Sequence, residues 1–126
     1  QYLIEKKTKI QHICYFPEEL NILGKLIKLA NLPQENIWCM FTIGHYTGRI
    51  SDPNLIPLFL NIKKLNGING DWAICAFGKE EKVCIKKALR LNGKIRIGFE
   101  NSIHMLDGSI ALNNETKVKE VKKLFK

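Results

Sequence analysis

The sequence of 126 residues lacks several features that mark specialised classes of protein. No apolar run approaches the roughly 20 residues that a membrane-spanning helix needs, so no membrane association is expected. No basic start with an apolar stretch and a small-residue cleavage site, the pattern of a secretory signal, opens the chain. Because it begins with Gln1 rather than Met, we expect the sequence to be a processed or truncated piece.

The cysteines lack any paired spacing. The four cysteines are Cys14, Cys39, Cys75 and Cys84, and none form a C-x-x-C pair. The first three fall within predicted strands. Such cysteines are typical of small buried side chains rather than of disulfides or zinc ligands. We therefore expect a reducing compartment, the cytoplasm.

Arginine is scarce, with three residues against seventeen lysines, although the net charge is +8. A charge of this size favours an anionic partner such as nucleic acid, a nucleotide or an acidic lipid. Nucleic-acid readers usually add clustered arginine and exposed aromatic residues. The abundance of Lys, Ile and Asn is instead typical of an AT-rich genome, and nucleic acid is not the expected partner.

What the sequence does contain is a strand followed by a helix, four times over. The predicted strands are 9–16, 36–44, 71–78 and 94–103, and the helices that follow them are 17–32, 51–65, 79–93 and 113–125. Ser51, Asp52 and Pro53 are typical of a helix start, and an Asn cap is expected before the last helix. Its run "KVKEVKKLFK" is expected to form a solvated face.

Helical spacing predicts which side chains of these helices point inward. The residues expected to be buried are Leu20, Leu23, Ile27 and Ala30 in the first helix, Val83, Ala88 and Leu91 in the third, and Val118, Val121 and Phe125 in the last.

Strands that are buried on both faces and alternate with helices imply a parallel sheet with right-handed crossovers, an α/β fold. "IWCMFTIG" and "DWAICAFG" align Trp38 with Trp72 and Gly44 with Gly78 at an offset of 34 residues, about one βα unit. Two architectures fit a single domain over 1–126: an open doubly wound sheet, or half of a (β/α)₈ barrel. A half-barrel would expose two strand edges and its inner face, so it must pair with another half or self-associate.

The last predicted strand carries charge. Arg96 and Glu100 share a face with Lys94 and Gly98, at the strand end where α/β proteins collect their chemistry. At a rise of about 3.3 Å per residue, Arg96 and Glu100 lie about 13 Å apart, too far to pair with each other. Each then needs a neighbouring charge, a metal or a ligand; the alternative is an edge strand with one solvated face.

"NGKIRIGFEN" resembles a motif of the beta-keto acid cleavage enzyme family, G-G-x-x-R-V-G-L-E-D. Upstream, "DWAICAFGKEE" resembles the family's W-x-x-x-x-x-G-R-x-Q, and "WCMFTIGHYTGRISDPNLI" resembles its glycine-rich loop before a helix. The resemblance covers the C-terminal half of the family, βα units five to eight. It implies a TIM (β/α)₈ barrel that binds a divalent metal, usually zinc. It also implies acyl exchange between a β-keto acid and acetyl-CoA, giving acetoacetate and a new CoA ester.

The resemblance also implies residue roles. Glu100 stands where the family's glutamate ligates the metal, and Arg96 stands where its arginine supports the catalytic acid and the substrate. A metal-bound carbonyl is polarised, which favours an enolate beside it, and a fixed positive charge stabilises that anion. Asn101 replaces the family's acid, and an amide cannot accept a proton as a general base.

The family's His-x-His metal pair lies in its N-terminal half, and His12, His45 and His104 do not reproduce it. One carboxylate cannot hold zinc alone, so we expect the isolated chain to be inactive. His12 is expected on the polar face of an outer strand. His45 follows a predicted strand end and is expected in a solvated loop, with a place at the site as the alternative. His104 is expected in the loop after the motif, where it could lie near a ligand. Gly78-Lys79 at a helix start could cradle phosphate, although Glu80 and Glu81 would repel it. The alternative function is a noncatalytic basic α/β module that binds a protein partner or an anionic ligand.

Overall fold

The computed structural model describes residues 2–6, 8–34 and 37–125. Its strands are β1 (Ile10–Cys14), β2 (Ile37–Ile43), β3 (Trp72–Ala76) and β4 (Lys94–Arg96). Its helices are α1 (Tyr2–Glu5), α2 (Glu19–Leu29), α3 (Leu55–Leu65), α4 (Glu81–Arg90) and α5 (Asn114–Lys122), and a 3₁₀ turn, Gly78–Glu80, leads into α4. None of these described helices is long and apolar enough to cross a bilayer.

All four strands are parallel and lie in the order β1-β2-β3-β4. The prediction of an α/β fold with parallel strands is therefore confirmed. Neighbours in the chain are neighbours in the sheet, as in half of a (β/α)₈ barrel; a doubly wound sheet would reverse its strand order at a switch point. Within the described residues, β1 pairs with β2 alone and β4 with β3 alone, so the outer edges of both are open.

The main core lies between one face of the sheet and helices α2, α3 and α4. Alternate residues of β2 point into it, and Phe41 stacks on Phe59 and Trp72 at ring-centroid distances of 4.6 and 5.6 Å. The opposite face, which we call the inner face, carries a smaller buried cluster of Met40, Ala73 and Cys75. In a closed barrel the inner face would line the interior.

The internal repeat holds for its glycines and not for its tryptophans. Gly44 and Gly78 both follow a strand and both adopt positive φ, at 97° and 66°. Trp72 packs in the main core, whereas Trp38 packs on the inner face. The two tryptophans are therefore not at equivalent positions of a repeated unit.

Three side chains that were predicted to be buried in the first and third helices are exposed. Leu20, Leu23 and Ile27 are buried in α2 as predicted, but Ala30 follows the helix end and is exposed. In α4, Ala88 is buried, whereas Val83 and Leu91 are 47% and 37% exposed. The helix begins at Glu81, later than expected, and its buried side instead includes Glu81, Cys84 and Ile85.

The α3 helix begins at Leu55 rather than at residue 51. Ser51 is buried and does not cap the helix; its hydroxyl donates to the Ile43 carbonyl and accepts from the Phe77 amide at 2.8 Å. It thereby ties the end of β2 to the end of β3. Pro57 lies in the first turn of α3, where an amide would have no intrahelical partner.

The last strand is shorter than the predicted 94–103. It ends at Arg96, and the Asn101 amide donates to the Gly98 carbonyl at 2.9 Å, which closes a turn that contains Phe99 and Glu100. The Phe99 amide donates to the Asn114 side chain at 2.8 Å, which holds this turn against the start of α5.

The predicted cap of the last helix is confirmed, since Asn113 accepts a hydrogen bond from the Thr116 amide. Val121 is buried as predicted, but Val118 and Phe125 are 48% and 52% exposed. Lys117, expected on a solvated face, is instead buried.

Candidate functional site

A cavity of about 280 Å³ opens on the inner face at the carboxyl ends of the strands. Its lining includes Met40 and Thr42 of β2, Cys75 of β3, and Arg96 and Glu100 from β4 and the turn that follows it. Ligand sites of parallel α/β folds form at this end of the sheet. Arg96 and Glu100 therefore share a concave cavity, which we call the inner cavity.

Arg96 and Glu100 form an ion pair with each other. The expectation that they lie too far apart to pair is wrong, because the chain turns at Gly98 and returns Glu100 toward Arg96. Their side chains are 44% and 71% exposed. An ion pair this exposed contributes little stability, so either group can exchange its partner for a ligand.

Asn101 points back under the turn and is 7% exposed. Its side-chain amide donates to the Cys75 sulfur, and the Arg96 guanidinium donates to the same sulfur at 3.5 Å. Burial raises the pKa of the Cys75 thiol, and the two hydrogen bonds act in the opposite direction. The structure thus brings Arg96, Glu100 and Asn101 together around Cys75.

Cys75 was not among the predicted site residues. It lies directly beside Arg96 in the pairing of β3 with β4. Side chains that are paired in adjacent parallel strands project from the same face of a sheet. Aligning the two predicted strands would therefore have placed the thiol next to the guanidinium.

A buried ion pair anchors the segment that follows Asn101. The Lys117 ammonium donates to the Glu81 carboxylate at 2.7 Å and to the Ser102 carbonyl at 2.5 Å. The Lys117 and Glu81 side chains are 2% and 6% exposed. Burial raises the pKa of Glu81, and Lys117 acts against this rise. The loop after β4 is also joined to the loop after β3, where the Gly78 amide donates to the Asn101 carbonyl.

A second cavity, of about 490 Å³, adjoins the first and is walled by His45, Tyr46 and Phe77. The His45 ring lies 4.1 Å from that of Tyr46, and its Nδ1 lies 2.6 Å from the Thr47 hydroxyl. Arg49, Lys79 and Glu80 all line this cavity, so Glu80 offsets one of two positive charges. The Arg49 guanidinium donates to the backbone carbonyls of Thr42 and Gly44, which ties it to the end of β2.

The histidines do not converge. His12 lies on the side of β1 that faces the helices, beside core residue Cys14, and burial lowers its pKa; its expected place on a polar face is wrong. His45 lines the two cavities, and His104 lines a separate one beside Glu81. Among residues 2–6, 8–34 and 37–125, no group of three His, Cys, Asp or Glu side chains could hold a metal ion. These residues therefore do not form a zinc site by themselves.

Comparison with known proteins gives one family. The family model of the beta-keto acid cleavage enzymes matches residues 1–126, the whole chain. No curated protein matches the sequence.

Proposed function

Because the chain belongs to the beta-keto acid cleavage enzyme family, we propose that it supplies half of a site for acyl exchange between a β-keto acid and acetyl-CoA. The products are acetoacetate and a new CoA ester. The observation that carries this proposal is the convergence of Arg96, Glu100 and Asn101 around Cys75, in the wall of the inner cavity. These are the three positions that match the family's charged motif.

Arg96 provides a fixed positive charge at the mouth of the inner cavity. Its guanidinium can bind a substrate carboxylate in two-pronged fashion and stabilise negative charge that develops on the substrate. Glu100 would supply one carboxylate ligand to a divalent metal, with zinc as the expected ion, in place of its ion pair with Arg96. The remaining ligands would have to come from outside the described residues.

Asn101 limits what this chain can do. Its amide nitrogen is committed to the Cys75 sulfur, and an amide cannot accept a proton at neutral pH. The chain therefore binds and orients substrate but lacks the family's proton acceptor. We propose that the isolated chain is inactive.

A second half-barrel completes the site, supplied by the same polypeptide, another polypeptide or a second copy of this chain. Within the described sheet, the outer edges of β1 and β4 offer unpaired backbone groups to parallel strands. Beside β4 lies a groove of about 540 Å³ between the inner face and α5, lined by Trp38, Met40, Ile97, Val118 and Phe125. An added strand would bury these apolar side chains, including the two exposed ones on and after α5.

In this account residues 1–126 form a single domain that corresponds to βα units five to eight. The four free cysteines are buried, which suits a reducing compartment, the cytoplasm.

Acyl exchange with acetyl-CoA and zinc content test the proposal. Both are measured for the chain alone and after mixing with the N-terminal four βα units of a beta-keto acid cleavage enzyme, which carry the His-x-His pair. For the chain alone we expect neither acyl exchange nor bound zinc. After mixing we expect the two halves to co-elute with one bound zinc. Rapid turnover by the chain alone, or a monomer that binds neither itself nor the added half at high concentration, contradicts the proposal.

The net charge of +8 favours a second candidate, a noncatalytic module that binds an anionic ligand or an acidic protein. Retention on heparin that falls steeply with salt, together with no zinc and no acyl exchange after mixing, would support it.

A further inference from the structure

We propose that Cys75, in the wall of the inner cavity, is a positioning residue whose sulfur holds the Arg96 guanidinium and the Asn101 amide. The importance of Cys75 for catalysis rests on the proposed function. The two hydrogen bonds to its sulfur are independent of that function. Nothing in the family motif quoted above assigns a role to this position.

The geometry places the thiol where two elements meet. Cys75 is 2% exposed and lies beside Arg96 in the pairing of β3 with β4. Asn101 reaches the same sulfur from the turn that follows β4. One acceptor therefore fixes a side chain of the sheet and a side chain of the loop relative to each other.

Each donor depends on this sulfur. The other end of the Arg96 guanidinium is held by the exposed Glu100 pair, which salt screens. The Asn101 amide is buried, and among the described residues the Cys75 sulfur is the acceptor of its hydrogen bond. Removing the sulfur would leave a buried donor unpaired, which drives it to rearrange toward water.

The other cysteines provide the contrast. Cys14, Cys39 and Cys84 belong to the main core, and no described side chain donates a hydrogen bond to them. Burial raises their pKa values to about 12, about 11 and about 12. Cys84 is therefore a matched control, a buried thiol whose loss affects packing and not the inner cavity.

The side-chain NMR signals of Arg96 and Asn101 test the proposal in the 126-residue chain. In Cys75→Ala we expect the Asn101 amide protons to exchange with water about tenfold faster, the factor that one buried hydrogen bond supplies, and the Arg96 guanidinium signals to average. Cys75→Ser keeps an acceptor and should retain much of the wild-type pattern. Cys84→Ala should lower stability and leave both sets of signals unchanged.

Three results would overturn the proposal. Two come from the cysteine variants: unchanged Arg96 and Asn101 signals in Cys75→Ala, or an equal change in Cys84→Ala. The third comes from Glu100→Gln, which removes the exposed ion pair and can be measured even if Cys75→Ala does not fold. We expect Arg96 to stay restrained in that variant, and a freely averaging guanidinium would show that Glu100, not the sulfur, holds it. A negative acyl-exchange assay would contradict the proposed reaction, but the expected NMR signals of Arg96 and Asn101 would stay the same.

Discussion

Lys117 of α5 donates a hydrogen bond to Glu81 of α4 at 2.7 Å, with both side chains almost fully buried. The same ammonium holds the Ser102 carbonyl, one residue after Asn101. The position of the loop that follows Arg96 and Glu100 therefore depends on a charge contributed by the last helix.

Lys117→Met should destabilise the fold strongly, because it leaves the Glu81 carboxylate buried without its cation. Breaking a buried pair from one side typically costs about 3–5 kcal/mol. Urea denaturation measures the loss. Lys119→Met is the control on the same helix, where Lys119 pairs with Glu115 in water and little change is expected.

Replacing both Lys117 and Glu81 distinguishes the cost of an unpaired buried charge from the cost of altered packing. Lys117→Met combined with Glu81→Met should recover part of the lost stability, since no charge then stays buried. A double variant less stable than Lys117→Met alone would contradict this explanation.

The pH dependence of stability should report Glu81. Burial raises its pKa in the folded state, so the folded protein binds more protons than the unfolded protein between the two pKa values. The contribution of Glu81 is then fully present below the unfolded pKa and is lost as pH rises through the folded pKa. Urea denaturation of wild type and Glu81→Gln from pH 4 to 8 should show wild type losing stability relative to the variant as pH rises. If wild type instead gained stability relative to Glu81→Gln as pH rises, the pairing with Lys117 would outweigh the effect of burial on the pKa of Glu81.

Gly44→Ala should destabilise the junction of β2 and β3 more than a comparable glycine change elsewhere. Gly44 adopts a φ of +97°, and an added Cβ would overlap the Ser51 hydroxyl oxygen. Left-handed strain of about 1–2 kcal/mol and overpacking of about 1–3 kcal/mol add up, so a loss above roughly 2 kcal/mol is expected. Gly67→Ala, at φ +67° with open space around it, should show the strain alone. Equal losses of stability in Gly44→Ala and Gly67→Ala, measured by thermal or urea unfolding, would show that the contact with Ser51 adds nothing.

Much of the fold was predictable because each strand is a short apolar run followed by a helical pattern. The end of β4 was not, because the alternation of Ile95, Ile97 and Phe99 continues past the point where the chain turns at Gly98. That turn depends on contacts with residues far along the chain, including Asn114.

The candidate site was predictable only where charge or a motif marked it. Arg96, Glu100 and Asn101 were identified from the last strand and its resemblance to the family. Lys117 was assigned to solvent because a lysine in a lysine-rich helix usually faces water; its partner Glu81 comes 36 positions earlier. Cys75 carried no charge, so only its pairing with β4 could have revealed it.

Asn101→Asp should increase acyl exchange in the mixed assembly. The carboxylate restores a group that can accept a proton, and general-base catalysis typically contributes about 10²–10⁴-fold. A steady-state assay with acetyl-CoA measures the change, with Asn113→Asp as the control because Asp also caps helices well. An equal or smaller rate in Asn101→Asp than in wild type would show that this position does not handle the proton.

Zinc bound per assembly, measured for wild type and Glu100→Gln after mixing with the N-terminal half of a family member, tests most directly whether Glu100 faces a completed metal site. We expect one zinc with wild type, none or far weaker binding with Glu100→Gln, and one zinc with the exposed control Glu115→Gln. Equal zinc binding by wild type and Glu100→Gln would contradict a metal-binding role of Glu100.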